Sequence, residues 1–266
     1  MQILLNNELV NEPFTIDSND RAFQYGDGLF ETIAIRNYAP RHLNYHLDRL
    51  QFGAKLLSLN LPFKREEVSS KIAQLVEVNK HVDATVKIIV WRKNSDASGY
   101  SFNTQACNFL VVSRPFKNKS RVIDKAGFAE TVAFHYSAIS QIKTLNALPY
   151  VMAMHEKQER GLDELIVLNG QRKICESTSS NVFWVKDDIF YTPPISSGCL
   201  DGVARRVIIE KLKKDKRKIK EVLTEPKSIE GADCVFTTNS GGIRFISQID
   251  HVRFDTSLAQ DPLLTL

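Results

Sequence analysis

The chain has 266 residues, 43% of them hydrophobic and 25% charged, with a formal net charge of +4. That is the profile of a folded globular protein with room for one large or two ordinary domains, and so small a positive balance favours anionic small ligands over nucleic acid. The first residues, MQILLNNE, lack the basic and apolar regions of a signal peptide, and no window is apolar for the length that spans a bilayer. The cysteines, Cys107, Cys175, Cys199 and Cys234, form no CxxC pair and read as reduced thiols of a cytoplasmic protein.

In chain order, residues 3–10 read as two short strands joined by Asn6-Asn7. Gly26 and Gly28 flank Asp27 in a tight turn, and a strand follows over 29–35. Asn44 reads as the cap of a helix carrying Leu47, Leu50, Ala54 and Leu57, with Arg49 beside its apolar stripe. A second helix covers 64–79 with Val68, Ile72, Leu75 and Val76 inward. Strands at 85–91 and 107–113 enclose a polar loop. The proline amid polar and basic residues at 113–120 marks a linker, which divides the chain into domains 1–115 and 116–266.

The second half opens with a strand near 128–135. Pro149 suits the first turn of a helix running to about Arg160, with Gly161 behind it. Asn169-Gly170 and Asp187-Asp188 each join two apolar runs as hairpins. Pro193-Pro194 stops the last of these strands, and Asp201 reads as the cap of a helix through Val207, Ile208 and Ile209. Residues 235–242 form a strand ending in a polar glycine turn. Strands outnumber helices without regular alternation, so the class is α+β or mixed α/β.

Lys143 stands out among the lysines because it follows Ile142, precedes Thr144-Leu145-Asn146 and leads into an apolar helix. A lysine held there is partly desolvated, which favours the neutral amine that carbonyl chemistry needs. Glu176 ends a strand and opens the hydroxyl-rich run Ser177-Thr178-Ser179-Ser180-Asn181. Two further elements suit a phosphate: the helix start at Gly202-Val203-Ala204, with its unpaired N–H groups, and the Thr238–Gly242 turn. A lysine, a carboxylate and such turns are the parts that hold an aldehyde cofactor bearing a phosphate and a ring nitrogen. No dinucleotide or P-loop glycine motif and no GxSxG elbow occurs. His42 and His46 fall four residues apart but read as packing. The basic run at 211–220 is the one hint of nucleic acid; the plainer reading is a solvated helix end, where cations also suit the dipole.

Six segments in register resemble the class IV, or fold-type IV, pyridoxal-phosphate enzymes, which include branched-chain and D-amino acid aminotransferases and aminodeoxychorismate lyase. They are Asp20-Arg21…Tyr25-Gly26-Asp27-Gly28-Leu29-Phe30-Glu31; His46-Leu47-Asp48-Arg49-Leu50; Lys143-Thr144-Leu145-Asn146; Glu176 to Asn181; Thr192-Pro193-Pro194…Gly198…Leu200-Asp201-Gly202; and Thr238-Asn239-Ser240. The resemblance implies a smaller N-terminal domain, a larger C-terminal domain carrying the lysine, pyridoxal 5′-phosphate as cofactor and a homodimer. It implies that Lys143 bonds the cofactor aldehyde and moves the substrate proton, that Glu176 keeps the pyridine nitrogen protonated, and that Arg49 binds the phosphate with Val203, Ala204 and Ser240. Ser179, Ser180 and Asn181 match positions lining the cofactor.

Ala204 stands where many relatives place a threonine hydroxyl, leaving its backbone N–H for the phosphate. Leu148 stands where branched-chain aminotransferases carry a tyrosine. Lys143-x-Leu-Asn fits D-amino acid aminotransferases and the lyase alike, and residues 87–92 look more like the lyase. The candidates for substrate contact are Tyr25, Lys87, Arg92 and Tyr100, with Arg92, Lys87 or Arg244 as carboxylate binder. The resulting expectation is a lyase making 4-aminobenzoate and pyruvate from 4-amino-4-deoxychorismate. A class IV aminotransferase and a cofactor-free protein binding nucleic acid through residues 211–220 are its rivals.

Overall fold

The computed structural model describes residues 1–261, 264 and 266. The chain divides into two compact units, residues 1–118 with 142–146 and residues 119–141 with 147–266.

In the first unit, β1 (Gln2–Leu5) and β2 (Glu8–Asn11) form the expected hairpin, with Asn6 and Asn7 both at positive φ. The short helix α1 (Arg21–Tyr25) is capped by the Asp20 carboxylate, which accepts from the Ala22 and Phe23 N–H groups. Then come β3 (Gly28–Arg36), β4 (Ala39–Pro40), α2 (Leu43–Leu56), α3 (Arg65–Val78), β5 (Ala84–Arg92) and β6 (Cys107–Pro115). The strands make one antiparallel sheet in the order β2-β1-β6-β5-β3-β4.

Strand alternation decides what each face carries. Leu29, Ile33 and Ile35 of β3 and Val86, Ile88 and Val90 of β5 pack with Leu47 and Leu50 of α2 and Val68, Ile72 and Leu75 of α3. Burying each such side chain is worth roughly 1.5–3 kcal/mol. On the opposite face a smaller cluster gathers Ile3, Trp91 and Leu110 with Phe14, Ala22 and Leu145. Asn44 is not the cap of α2. The helix starts one residue earlier, behind His42 at φ 54, and Asn44 lies in its first turn, where its carbonyl and side-chain oxygens accept from Arg65.

The second unit holds two sheets. Strand β8 (Ala126–Phe134), β9 (Glu164–Asn169), β10 (Ile174–Ser177), β16 (Gln248–Ile249) and β17 (Val252–Arg253) join in the order β10-β9-β8-β16-β17. Strands β7 (Val122–Ile123), β11 (Asn181–Lys186), β12 (Ile189–Thr192), β13 (Lys218–Glu221), β14 (Cys234–Asn239) and β15 (Gly242–Ile246) join as β13-β12-β11-β14-β15-β7. Helix α4 (Leu148–Glu159) has Pro149 in its first turn and Gly161 at φ 57 just beyond its end. Both expected hairpins form, β9–β10 and β11–β12, the latter with Asp187 and Asp188 at positive φ.

Helix α5 (Val203–Lys214) departs from expectation at its start. Gly202 holds the cap position without a side-chain cap, and the Asp201 carboxylate instead accepts from Arg206. The basic run is shared out between two roles. Lys211, Lys213 and Lys214 fall in the last turn of α5, and Lys218 and Lys220 lie on edge strand β13. Cations in the first place complement the helix dipole, and in the second they guard an open sheet edge.

The domain division also differs from the linker reading. Strand β6 runs through Pro115, and the stretch 142–146 counts with the N-terminal unit. The lysine therefore belongs with the first unit, although it lies downstream of the linker. No described helix is long and apolar enough to cross a membrane.

Candidate active site

Lys143 is held by backbone. Its carbonyl accepts from the Phe30 N–H at 2.9 Å, the Leu145 N–H donates to the Gly28 carbonyl at 2.9 Å, and Leu29 and Thr144 form an antiparallel bridge. Ile142, 3% exposed, enters the helix-side core, and the Asn146 amide donates to the Gly26 carbonyl. A two-residue ladder on β3 thus fixes the backbone from which the long side chain projects. Gly28 makes this possible, because a Cβ there would lie 2.5 Å from the Val90 carbonyl oxygen and 2.8 Å from Leu145 Cδ1.

The Lys143 Nζ lies 4.4 Å from the centre of the Phe30 ring, and Lys87 Nζ lies at the same distance from that ring. Both are cation–π contacts. Lys87 faces Thr32 across the β3–β5 ladder, so Phe30, Thr32 and Lys87 share one face of the sheet. Burial pulls the Lys87 amine below its usual value.

Glu31 points to the other face, at a position where strand alternation calls for an apolar residue. It is 1% exposed, accepts two hydrogen bonds from Arg49, at 2.8 Å from Nε and 2.6 Å from Nη2, and lies 2.6 Å from His46 Nδ1. Burial pushes this carboxyl up, but the Arg49 charge and the bonds from His46 and Arg49 outweigh it and hold its pKa at about 2. Arg49 is therefore oriented by a bidentate carboxylate.

Arg92 does not stand open to a substrate. It is 2% exposed, and protein acceptors take all its donors: Nε meets Asp27, Nη1 the Ser58 and Thr104 carbonyls, and Nη2 Asp27 and the Leu57 carbonyl. A guanidinium has five N–H groups in a fixed fork, so none is left. Arg21 works alike, bonding Asp27 and the carbonyls of Gly99, Tyr100 and Ser101. These bonds bring Tyr100 against Tyr25, with ring centres 5.3 Å apart. Tyr100 is 86% exposed. Of the four candidates for substrate contact, the structure pairs Tyr25 with Tyr100, sets Lys87 on the ring that Lys143 also meets and makes Arg92 a strut. Arg244, of the second unit, uses its Nε on the Ser120 carbonyl.

In the second unit, Glu176 on β10 is 2% exposed. Its carboxylate accepts from the Tyr150 hydroxyl at 2.7 Å and from the Asn181 amide at 3.4 Å. Burial, then the Glu176 charge, pushes the Tyr150 phenol up, so it stays a donor. The same two causes push Cys199 up to about 12 and raise Cys175, which keeps these thiols neutral. Tyr150 escaped the sequence reading, since only the packing of α4 shows that a tyrosine two residues into the helix meets β10. Glu31 was legible in principle, as an acid at an inward strand position with an arginine beside a helix's apolar stripe.

The Ser177 N–H and hydroxyl both donate to the Ser180 carbonyl, closing the turn after Glu176. Ser180 and Asn181 are buried and Ser179 is exposed. The Asn239 amide donates to the Ser180 hydroxyl and the Ser179 carbonyl, tying this turn to the β14–β15 turn that carries Ser240. The Asn181 amide also donates to the Leu200 carbonyl, and a Cβ on Gly202 would collide with the Asn181 side-chain oxygen. Glycine thus lets the start of α5 sit against Asn181. Val203 and Ala204, both 4% exposed, hold the first N–H groups of that uncapped helix. Thr238 pairs with Asn181 across the ladder, and its buried hydroxyl has no hydrogen-bond partner among the described residues.

Residues 28–249 match the family described as amino-transferase class IV. The D-alanine aminotransferase of Listeria monocytogenes is 29% identical over 259 residues, covering 95% of this chain and 89% of the relative. The aminodeoxychorismate lyase of Bacillus subtilis is 29% identical over 226 residues, covering 83% and 76%. A crystal structure of the branched-chain aminotransferase from Thermoproteus uzoniensis with norvaline matches with a TM-score of 0.90 at 23% identity, over 99% of this chain and 92% of that one. It shares the fold.

Proposed function

Because the chain belongs to the class IV aminotransferase family, whose enzymes use pyridoxal 5′-phosphate, we propose that it is a lyase splitting 4-amino-4-deoxychorismate into 4-aminobenzoate and pyruvate. The observation that carries the lyase reading is the saturation of Arg92. An α-amino acid brings a carboxylate on the carbon that bears its amine, and an arginine fork is the natural clamp for it. The fork of Arg92 is spent on Asp27 and three carbonyls. The amine of aminodeoxychorismate sits on a ring carbon without a carboxylate and needs no such clamp.

The donor set suits the cofactor. A buried carboxylate suits a protonated ring nitrogen, and the unpaired Thr238 hydroxyl with the uncapped N–H groups of Val203 and Ala204 suits a phosphate. Arg49 and Ser240 are proposed to add to the phosphate contacts, and Ser179, Ser180 and Asn181 to line the ring. Bound pyridoxal phosphate supplies an aldehyde for amines and a protonated ring that draws off the electrons of a breaking C–H bond.

Lys143 is the residue proposed to hold that aldehyde. Its fixed backbone and long side chain suit an amine that must be displaced and then act as a base. Lys143 takes the proton from the amine-bearing carbon and can return a proton to the departing three-carbon fragment. Glu176, oriented by Tyr150 and Asn181, keeps the ring nitrogen protonated throughout.

The test is a paired assay on aminodeoxychorismate and on L- and D-amino acids, with and without a 2-oxo acid. Formation of 4-aminobenzoate without an acceptor is expected; activity that requires the acceptor sinks the lyase reading. E176A should keep the cofactor absorbance yet cut turnover on the order of 10²–10³-fold, the scale of losing one preorganised electrostatic partner.

The second reading is an aminotransferase acting on D- or branched-chain amino acids. The similarity to the Listeria D-alanine aminotransferase over 95% of the chain favours it. A homodimer, implied by the family resemblance, is proposed with either reading and is checked by sedimentation.

A further inference from the structure

Glu156 is a buried carboxylate that the cofactor chemistry does not use. It lies on α4, and its partners lie on β8. Strand β8 keeps register with β9 at Phe128–Ile166 and again at Ala133–Leu168, and residues 129–132 bulge out of the ladder between them. Such a bulge takes backbone N–H groups away from their ladder partners, and buried N–H groups need an acceptor. Here the Glu130, Thr131 and Val132 N–H groups donate to the Glu156 carboxylate at 2.7, 3.0 and 3.3 Å. The Thr131 hydroxyl adds a fourth bond at 2.6 Å, and Arg160, one turn further on, binds both this carboxylate and the Phe128 carbonyl.

The apolar hold on α4 is small. Ala153 is the buried apolar residue of the helix, while Leu148, Val151 and Met152 are exposed. Tyr150, Ala153, Glu156 and Arg160 share one face by helical spacing. At one end of that face the Tyr150 ring meets Phe134 of β8, with centres 4.7 Å apart, and its hydroxyl donates to Glu176 on β10 at 2.7 Å. We propose that Glu156 is a positioning residue for Glu176: by filling the β8 bulge it fixes α4 at the height and rotation that bring the Tyr150 hydroxyl to the Glu176 carboxylate. The two side chains are separated by about 9 Å of rigid helix. An O–H···O bond holds only to about 3.0 Å, so a slip of α4 by about 0.5 Å would weaken it. The inference rests on the reading that Glu176 keeps the cofactor nitrogen protonated, and it names what holds the donor of Glu176 in place.

The test labels the hydroxyl-bearing ring carbon of the seven tyrosines with carbon-13 and reads their NMR signals in the cofactor-loaded enzyme. Y150F removes one signal and so assigns it, and E176Q marks how far that signal moves when the acceptor loses its charge. E156Q should move it by a comparable amount. T131V, which takes one donor from the Glu156 carboxylate, should move it less. Turnover closes a double-mutant cycle. Y150F should lose about 10- to 100-fold, the worth of a hydrogen bond to a charged group, and E156Q about 10-fold. The double variant E156Q/Y150F should lose no more than Y150F alone, because both changes break the same link.

A Tyr150 signal that stays in place in whichever of E156Q and T131V folds overturns the proposal. A double variant whose loss is the product of the two single losses overturns it as well, since Glu156 would then act on the fold at large. A signal that moves in variants whose turnover stays at the wild-type level supports Glu156 as the anchor of Tyr150 and sinks the role proposed for Glu176.

Discussion

Around Glu176 the second unit builds a fixed charge. The carboxylate sits inside a sheet, 2% exposed, and takes hydrogen bonds from a phenol and an amide, with two neutral thiols close by. Around Lys143 the first unit builds an aromatic platform. The backbone is laddered to β3, the side chain reaches over an aromatic ring, and Lys87, which meets the same ring, has no counter-charge among the described residues. Under the roles proposed for them, Glu176 must hold still to tune an electron sink and Lys143 must trade bonds and carry protons.

The sharpest way to break this comparison is to remove the lysine. K143A should lose at least about 10³–10⁴-fold in turnover, the upper range for a positioned acid–base residue, and borohydride should no longer fix the cofactor to that position. Turnover within tenfold of the wild type would place the base elsewhere.

Next in size is Glu31, the fixed carboxylate of the first unit. Its pKa of about 2 lies below the ordinary 4.5, so its contribution is complete above about pH 4.5 and is lost as pH falls through about 2. Wild type should therefore lose about 3 kcal/mol of stability across that window that E31Q does not lose. At neutral pH E31Q should already be about 3–5 kcal/mol less stable, because Arg49 is left buried without its partner. Chemical denaturation at several pH values measures both. Burial raises the Glu156 carboxyl of the second unit, but bonds from Thr131 and the Glu130 N–H outweigh it and hold it at about 2, so it adds to the same acid transition.

A subtler test concerns Thr238. Its buried hydroxyl has no partner among the described residues, so T238V should leave the cofactor-free protein as stable or slightly more so. Cofactor affinity should fall about 10-fold if that hydroxyl serves the phosphate. Smallest of all, neutralising Lys213 and Lys218 should change stability by under about 0.5 kcal/mol and leave activity alone, as surface positions do.

The readable parts of the chain were those where a local rule sufficed. Asn6-Asn7 and Asp187-Asp188 turn on residues that tolerate positive φ, and Asn169-Gly170 turns because the Asn169 side-chain oxygen accepts from the Gln171 and Lys173 N–H groups. Helix α3 lies where its apolar spacing put it, with Val68, Ile72, Leu75 and Val76 fully buried. The two capping expectations failed for a reason that spacing does not reveal. Asn44 and Asp201 each meet an arginine, Arg65 and Arg206, and His42 and Gly202 supply the helix entries instead.

The sequence by itself determined which residues could carry the chemistry: a lysine between apolar neighbours, a glutamate before a hydroxyl-rich turn, and a helix start rich in free N–H groups. Side-chain type and local spacing are enough for that. Tertiary structure alone decided which charges are spent and which are available. Arg92, a plausible carboxylate clamp in the sequence, is consumed by carbonyls as far away as Leu57 and Thr104, while Lys87, one lysine among many, meets no acid among the described residues and lies on the ring that Lys143 shares. A donor's availability depends on acceptors brought in from distant parts of the chain, and no local pattern records them.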